Sequence, residues 1–124
     1  MKWRFLTLMV ALFWLSVGCD QVQSMDQVTD IDKTEAQSLL AKGGVTVLDL
    51  RTASEFEGGH VEGAILVDFY GADFRNKLAT LEKEKPYLIY CASGGRSKQS
   101  LRLFNQLGFK QIYHLYQGAA GGLP

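Results

Sequence analysis

From Val28 onward the chain alternates short apolar runs with stretches of helical period. Val28 to Ile31 predicts a short strand. Asp32, with Glu35 three residues on, makes an N-cap with a reciprocal acid, opening a helix whose apolar face is Ala36, Leu39 and Leu40; Gly43 and Gly44 stop it. Val45 to Leu50 is an almost continuous apolar run holding Asp49, which predicts a strand covered on both faces. A short helix over Ala53 to Glu57 comes next, and then a strand over Ala64 to Val67. Phe74, Leu78 and Leu81, at spacings of four and three, predict an amphipathic helix in a region that Pro86 ends. Tyr87 to Tyr90 is a short aromatic and β-branched strand that runs straight into Cys91. Leu101, Phe104 and Leu107 mark the inner face of a further helix closed by Gly108, and Ile112 to Leu115 is the last strand.

This alternation with short connections predicts a single α/β domain over 28–124, built on a central parallel sheet of about five strands with helices on both faces. Ligands in such sheets sit beyond the carboxyl ends of the strands, which is where Cys91 falls.

The start of the chain has a different pattern. Lys2 and Arg4 precede an apolar run from Phe5 to Val17, broken only by Thr7 and Ser16, and then come Gly18 and Cys19. Positive, apolar and small-residue regions in that order predict an export signal over 1–19, which carries Trp3 and Trp14 with it; the run is too short for a full bilayer crossing. Leu15-Ser16-Val17-Gly18-Cys19 resembles a bacterial lipobox, with Ser16 where that motif usually has Leu. The resemblance implies an acylated Cys19 as the mature N-terminus, anchored at the periplasmic face of a bacterial membrane, and Asp20 next to it implies retention at the inner membrane. Simple cleavage beside an unmodified Cys19 is the other reading. Asp20 to Gln27 is polar and aperiodic, a tether that reaches at most about 28 Å.

At 124 residues there is room for one core and not for a separate cofactor domain. With 13 basic and 13 acidic residues, no diffuse positive field is available to hold a nucleic-acid backbone, so nucleic acid is not an expected partner. Only two cysteines occur. If Cys19 is acylated or removed, Cys91 is left as a lone thiol that cannot staple the chain to itself: it is inert, reactive or intermolecular.

The segment Cys91-Ala92-Ser93-Gly94-Gly95-Arg96-Ser97 tells most about chemistry. A Cys at a strand end, succeeded by a glycine-containing loop and a helix N-terminus, can be ringed by backbone N–H groups and the positive end of the helix dipole, which favours thiolate. Gly94 and Gly95 can take positive φ and turn amides inward, and Arg96 adds a fixed positive charge. The plain alternative is a buried strand-end thiol. His114, inside the last strand, reads as a half-buried strand residue.

The pattern resembles the rhodanese family of sulfurtransferases. Asp49-Leu50-Arg51 looks like that family's acidic-x-Arg after its second strand, Glu55 to Ile65 looks like its Glu-Phe…Gly-His-Ile-x-Gly-Ala-Ile segment, and Cys91 to Ser97 matches the Cys-x-x-Gly-x-Arg-Ser active loop. A small exported single-domain member, similar to the periplasmic phage-shock rhodanese, is the type implied. The resemblance implies that Cys91 takes sulfane sulfur from a small anionic donor such as thiosulfate. It forms a persulfide and passes the sulfur to cyanide or a thiol. Ala92, Ser93, Gly94, Gly95 and Arg96 would bind the persulfide or the donor's oxygens, with no metal or organic cofactor. Four residues separate Cys91 from Arg96, where phosphatases on this fold have five, so phosphatase activity is the lesser enzyme reading. A non-catalytic sulfur-sensing or binding module using the same loop is the reading from a different class.

For Asp49, Arg51, Glu55 and His60 a supporting role is expected: Asp49 capping the active loop, Arg51 paired with Glu55, and His60 satisfying backbone groups near Gly63. At the carboxyl end, Leu115-Tyr116-Gln117-Gly118-Ala119 has one residue more than the family's Leu-x-Gly-Gly, and no Trp comes after it. The closing helix is expected to be short or absent, leaving one side of the pocket differently covered.

Overall fold

The computed structural model describes residues 27–124. The expected signal, Cys19 and nearly all of the tether lie outside the described residues. Five parallel strands, β1 (Val28–Ile31), β2 (Thr46–Asp49), β3 (Ile65–Leu66), β4 (Pro86–Tyr90) and β5 (Gln111–Leu115), form one sheet in the order β1-β5-β4-β2-β3. Four helices connect them: α1 (Lys33–Lys42), α2 (Ala53–Glu57), α3 (Phe74–Ala79) and α4 (Gly95–Leu107).

Side chains alternate across the strands and so divide the core in two. Leu48, Tyr87, Ile89 and Ile112 point to one face, where Phe74 and Leu78 of α3 and Phe104 of α4 cover them. Val47, Leu88, Tyr90 and Leu115 point to the other, against Ala36 of α1 and Val61. Leu48, Leu88 and Ile89 are fully buried, each contributing about 2 kcal/mol of transfer free energy. The central strands are largely apolar on both faces because both are covered, as the almost continuous run at Val45 to Leu50 predicts.

Local chemistry sets the boundaries. The Asp32 carboxylate accepts from the Glu35 amide and the Glu35 carboxylate accepts from the Asp32 amide, the reciprocal cap expected for α1. Thr52 and Glu55 form a second such box at α2, which the sequence reading leaves out. Two expectations are corrected. The helix at Phe74 stops at Ala79, so Leu81 packs against the core from beyond its end. Pro86 does not close the preceding region but begins β4, at a position where a ring without N–H is tolerated.

β4 is the middle strand, and the winding reverses there: β2 leads outward to β3 on one side, and after the return to β4 the chain moves to β5 on the other. The loop after β4 therefore sits at a switch point. The segments leaving β2 and β3 flank it on one side, and the segment leaving β5 flanks it on the other.

Candidate active site

Cys91 is the first residue past β4. Gly94, in the left-handed region at φ 89°, turns the loop into α4. That turn aims two amides at the sulfur: Gly94 N–H donates to Cys91 Sγ at 3.2 Å and Ser97 N–H, in the first turn of α4, at 3.4 Å. The Ser97 hydroxyl lies 3.4 Å from the same sulfur. Burial pushes the thiol up, and the Ser97 hydroxyl with the Ser97, Ser93 and Gly94 amides more than offsets it, so the Cys91 thiol lies below its ordinary value. The sulfur thus lies within an amide cradle although the residue is only 1% exposed and touches the α4-side core. Gly95, expected to share the positive φ of Gly94, does not adopt it.

The loop is held from two sides, by the segment after β5 and from the β2 side. Gly94 leaves no room for a side chain, because a Cβ there would run into the Tyr116 carbonyl oxygen. The segment after β5 straps the loop from behind: Ala119 N–H donates to the Cys91 carbonyl and Ala120 N–H to the Ala92 carbonyl, both at 2.8 Å. Gly118, at φ 63°, allows that approach, since a Cβ on it would lie 2.6 Å from backbone atoms of Cys91 and Ala92. Lys33 Nζ donates to the Ala120 carbonyl and ties the strap to α1. Among the described residues, turns rather than a closing helix cover this side.

On the β2 side, Arg96 donates through both terminal nitrogens to Glu55, at 2.8 and 2.9 Å. The Arg96 guanidinium, then the Thr52 amide, hold the Glu55 carboxyl down at about 2. Arg96 also lies over the exposed ring of Tyr70, 5.5 Å from its centre. Arg96 is therefore a guanidinium pinned at the loop's edge, with Glu55 serving both as its anchor and as the cap of α2.

The supporting residues depart from expectation in their partners. Arg51 does not pair with Glu55. It grips the fully buried Asp49, with Nη2 to Oδ2 at 2.8 Å, and donates to the Gly59 carbonyl at 2.7 Å. Asp49 does not cap the active loop. Its second partner is the Tyr90 hydroxyl at 2.6 Å, which in turn accepts from Val61 N–H. Burial, then the Asp49 hydrogen bond, pushes the Tyr90 phenol up to about 12. His60 does not reach toward Gly63; its Nδ1 bonds the Phe56 carbonyl at 2.8 Å and its ring stacks on Phe56. These four residues lie on the α2 side. Glu55 alone among them touches the loop, because Asp49 points to the sheet face opposite the sulfur.

Three groups escape a reading of the sequence alone. His114 is buried rather than half-buried, and its two ring nitrogens bond Ser97 Oγ and Asp30 Oδ1, each at 2.8 Å. The register pairs Asp30 with His114 across β1 and β5, a relation visible only once those strands are known to be neighbours. Ser97 falls within the loop motif, but nothing in its residue type points to the histidine behind it.

A family model described as rhodanese-like domain matches residues 32–121. The chain is 31% identical over 98 residues to the uncharacterized protein YibN of Escherichia coli, covering 77% of this chain and 67% of that one. It is 30% identical over 88 residues to the thiosulfate sulfurtransferase GlpE of Coxiella burnetii, covering 71% of this chain and 80% of that one. The crystal structure of SSP1007 from Staphylococcus saprophyticus superposes with a TM-score of 0.64 at 26% identity, over 72% of this chain and 87% of that one. A cysteine cradled beyond the middle strand of a β1-β5-β4-β2-β3 sheet, within a match spanning almost all described residues, makes this chain a member of the rhodanese-like domain family.

Proposed function

We propose that the protein is a sulfurtransferase of the thiosulfate type, with Cys91 as the nucleophile. The observation that carries the reading is the convergence of the Gly94 and Ser97 amides and the Ser97 hydroxyl on one sulfur, at the positive end of α4. Relatives bearing a sulfurtransferase name share the domain, which supports the same reading.

In the first half-reaction the Cys91 thiolate attacks the outer sulfur of thiosulfate. A new S–S bond forms, the S–S bond of the donor breaks, and its electron pair leaves with sulfite. In the second, cyanide or a thiolate attacks the outer sulfur of the Cys91 persulfide, and the thiolate returns with the electrons of the broken bond. The attacking thiolate is anionic, so the donors already converging on Cys91 Sγ stabilise it without reorganising. Arg96, pinned by Glu55, adds positive charge at the rim against which an anionic donor can settle.

We also propose that the chain works outside the cytoplasm, tethered to a membrane through Cys19; the run from Phe5 to Cys19 supports this.

Purified protein is expected to make thiocyanate from thiosulfate and cyanide, and Cys91→Ser to make none. Equal thiocyanate from both would overturn the reading.

A further inference from the structure

We propose that His114, acting through Ser97 and backed by Asp30, takes the proton of the Cys91 thiol. This deepens the sulfurtransferase reading and rests on Cys91 being the nucleophile.

The four groups form one hydrogen-bonded line drawn from β1, β5, α4 and the loop after β4. Asp30 Oδ1 is 2.8 Å from His114 Nδ1, His114 Nε2 is 2.8 Å from Ser97 Oγ, and Ser97 Oγ is 3.4 Å from Cys91 Sγ. An aspartate has only acceptors to offer, so Nδ1 carries the hydrogen and Nε2 of the neutral ring is left as an acceptor facing the serine. Ser97 has a single hydroxyl hydrogen and three neighbours: Cys91 Sγ, His114 Nε2 and the Gly94 carbonyl at 3.1 Å. With Cys91 as a thiol, Sγ–H points to Oγ and Oγ–H points to Nε2. When the Sγ–H bond breaks, its proton passes to Oγ while the former hydroxyl proton passes to Nε2. Both hydrogen bonds then reverse: Nε2–H donates to Oγ, and Oγ–H donates to the thiolate. No atom of the line loses a partner in either state, and the charge pair created, thiolate and imidazolium, is joined by the serine and faced by the Asp30 carboxylate.

The surroundings suit this task. His114 is 3% exposed and Ser97 fully buried, so water does not short-circuit the line at its centre. Its outer end opens on a pocket of about 480 Å³ lined by Asp30, Ser93, Gly94, Lys98, His114 and Tyr116. The Asp30 side chain is 67% exposed there. The proton therefore has an exit on the β5 side, apart from the Arg96 and Glu55 edge. The charged or titratable groups around His114 are Asp30 on β1, Lys98 on α4, Tyr116 after β5 and Cys91 after β4; Ile89, its register partner on β4, is apolar. Among the described residues, Asp30 is the carboxylate that contacts the His114 ring. His114 and Asp30 are thus positioning residues: neither touches the sulfur.

The test is the pH profile of alkylation at Cys91 by iodoacetamide, read on the Cys91 peptide of the full-length protein by mass spectrometry so that Cys19 does not contribute. In His114→Gln the profile should move to higher pH, with alkylation near neutrality slowed roughly tenfold, since thiolate is the reacting form. Asp30→Asn should move it the same way by a smaller amount, about threefold in rate. The exposed Asp30 side chain makes this second variant decisive even if His114→Gln does not fold, and a profile for Asp30→Asn that coincides with the parent's overturns the proposal. No sulfur donor enters this measurement, so its outcome is independent of whether the protein transfers sulfur.

Discussion

Glu55 holds Arg96 by both carboxylate oxygens across 41 positions of sequence, and one of those oxygens also accepts from the Thr52 amide that starts α2. A loop charge and a helix cap therefore share one carboxylate. Its folded value, about 2 against an ordinary 4.5, lies below the unfolded one. The stability it contributes is present in full above pH 4.5 and is lost as pH falls toward 2. With 35% of the Glu55 side chain exposed, solvent screening limits that contribution to about 1 kcal/mol. Urea midpoints of the parent and Glu55→Gln are expected to differ by a constant amount above pH 4.5 and to converge in more acidic solution. A gap unchanged down to pH 3, roughly, would show that the pair carries no such linkage.

Gly118 meets the active loop backbone to backbone. Gly118→Ala places a Cβ 2.6 Å from Cys91 and Ala92 atoms at a φ of 63°. The chain must either hold a strained conformation or lift the strap from the loop, at a cost of about 2 kcal/mol. A lower melting temperature together with a large loss of sulfurtransferase activity is expected. Gly44→Ala, also at positive φ but with nothing within 4 Å, should cost stability and leave activity intact, which separates strain from loop displacement.

Asp49 is fully buried beneath Arg51 and Tyr90. Asp49→Ala leaves a buried guanidinium without its counter-charge, a loss of about 3 kcal/mol, while Cys91→Ser should change stability by less than about 1 kcal/mol. Denaturant titration of the two variants checks the contrast. An Asp49→Ala loss below about 1 kcal/mol would mean that the pair on the far face of the sheet is dispensable.

Membrane attachment is testable apart from chemistry. Full-length protein produced in a bacterium is expected in the membrane fraction, and Cys19→Ala is expected to leave it. Parent protein found wholly in the soluble exported fraction would contradict the anchor.

The fold was legible because its signals are local. The Asp32 and Glu35 cap, the apolar run at Val45 to Leu50, and the strand running into Cys91 each sit within a few residues of sequence. The turn beside the sulfur was legible for the same reason, since Cys91 and Gly94 lie within one loop, whereas Ser97, whose amide and hydroxyl also face the sulfur, sits beyond it in α4. The partners of Asp49, Arg51, Glu55 and His60 were not, because each is decided by which face of the sheet or which neighbouring turn a side chain meets. Glu55 chose Arg96 over the nearer Arg51 because Asp49 already occupies that guanidinium from two residues away. Asp30 and His114 lie 84 positions apart and carry no motif; only the pairing of β1 with β5 brings them together. The strap at Gly118 was hidden by the same logic, as backbone contacts leave a glycine in the sequence and nothing more.

Whether Cys91 carries sulfur is decided most directly by the mass of the full-length protein after exposure to thiosulfate. The parent should gain one sulfur atom, found on the Cys91 peptide and removed by cyanide, and Cys91→Ser should gain none. A parent whose mass does not change, or a Cys91→Ser protein that gains the same sulfur, would contradict the account.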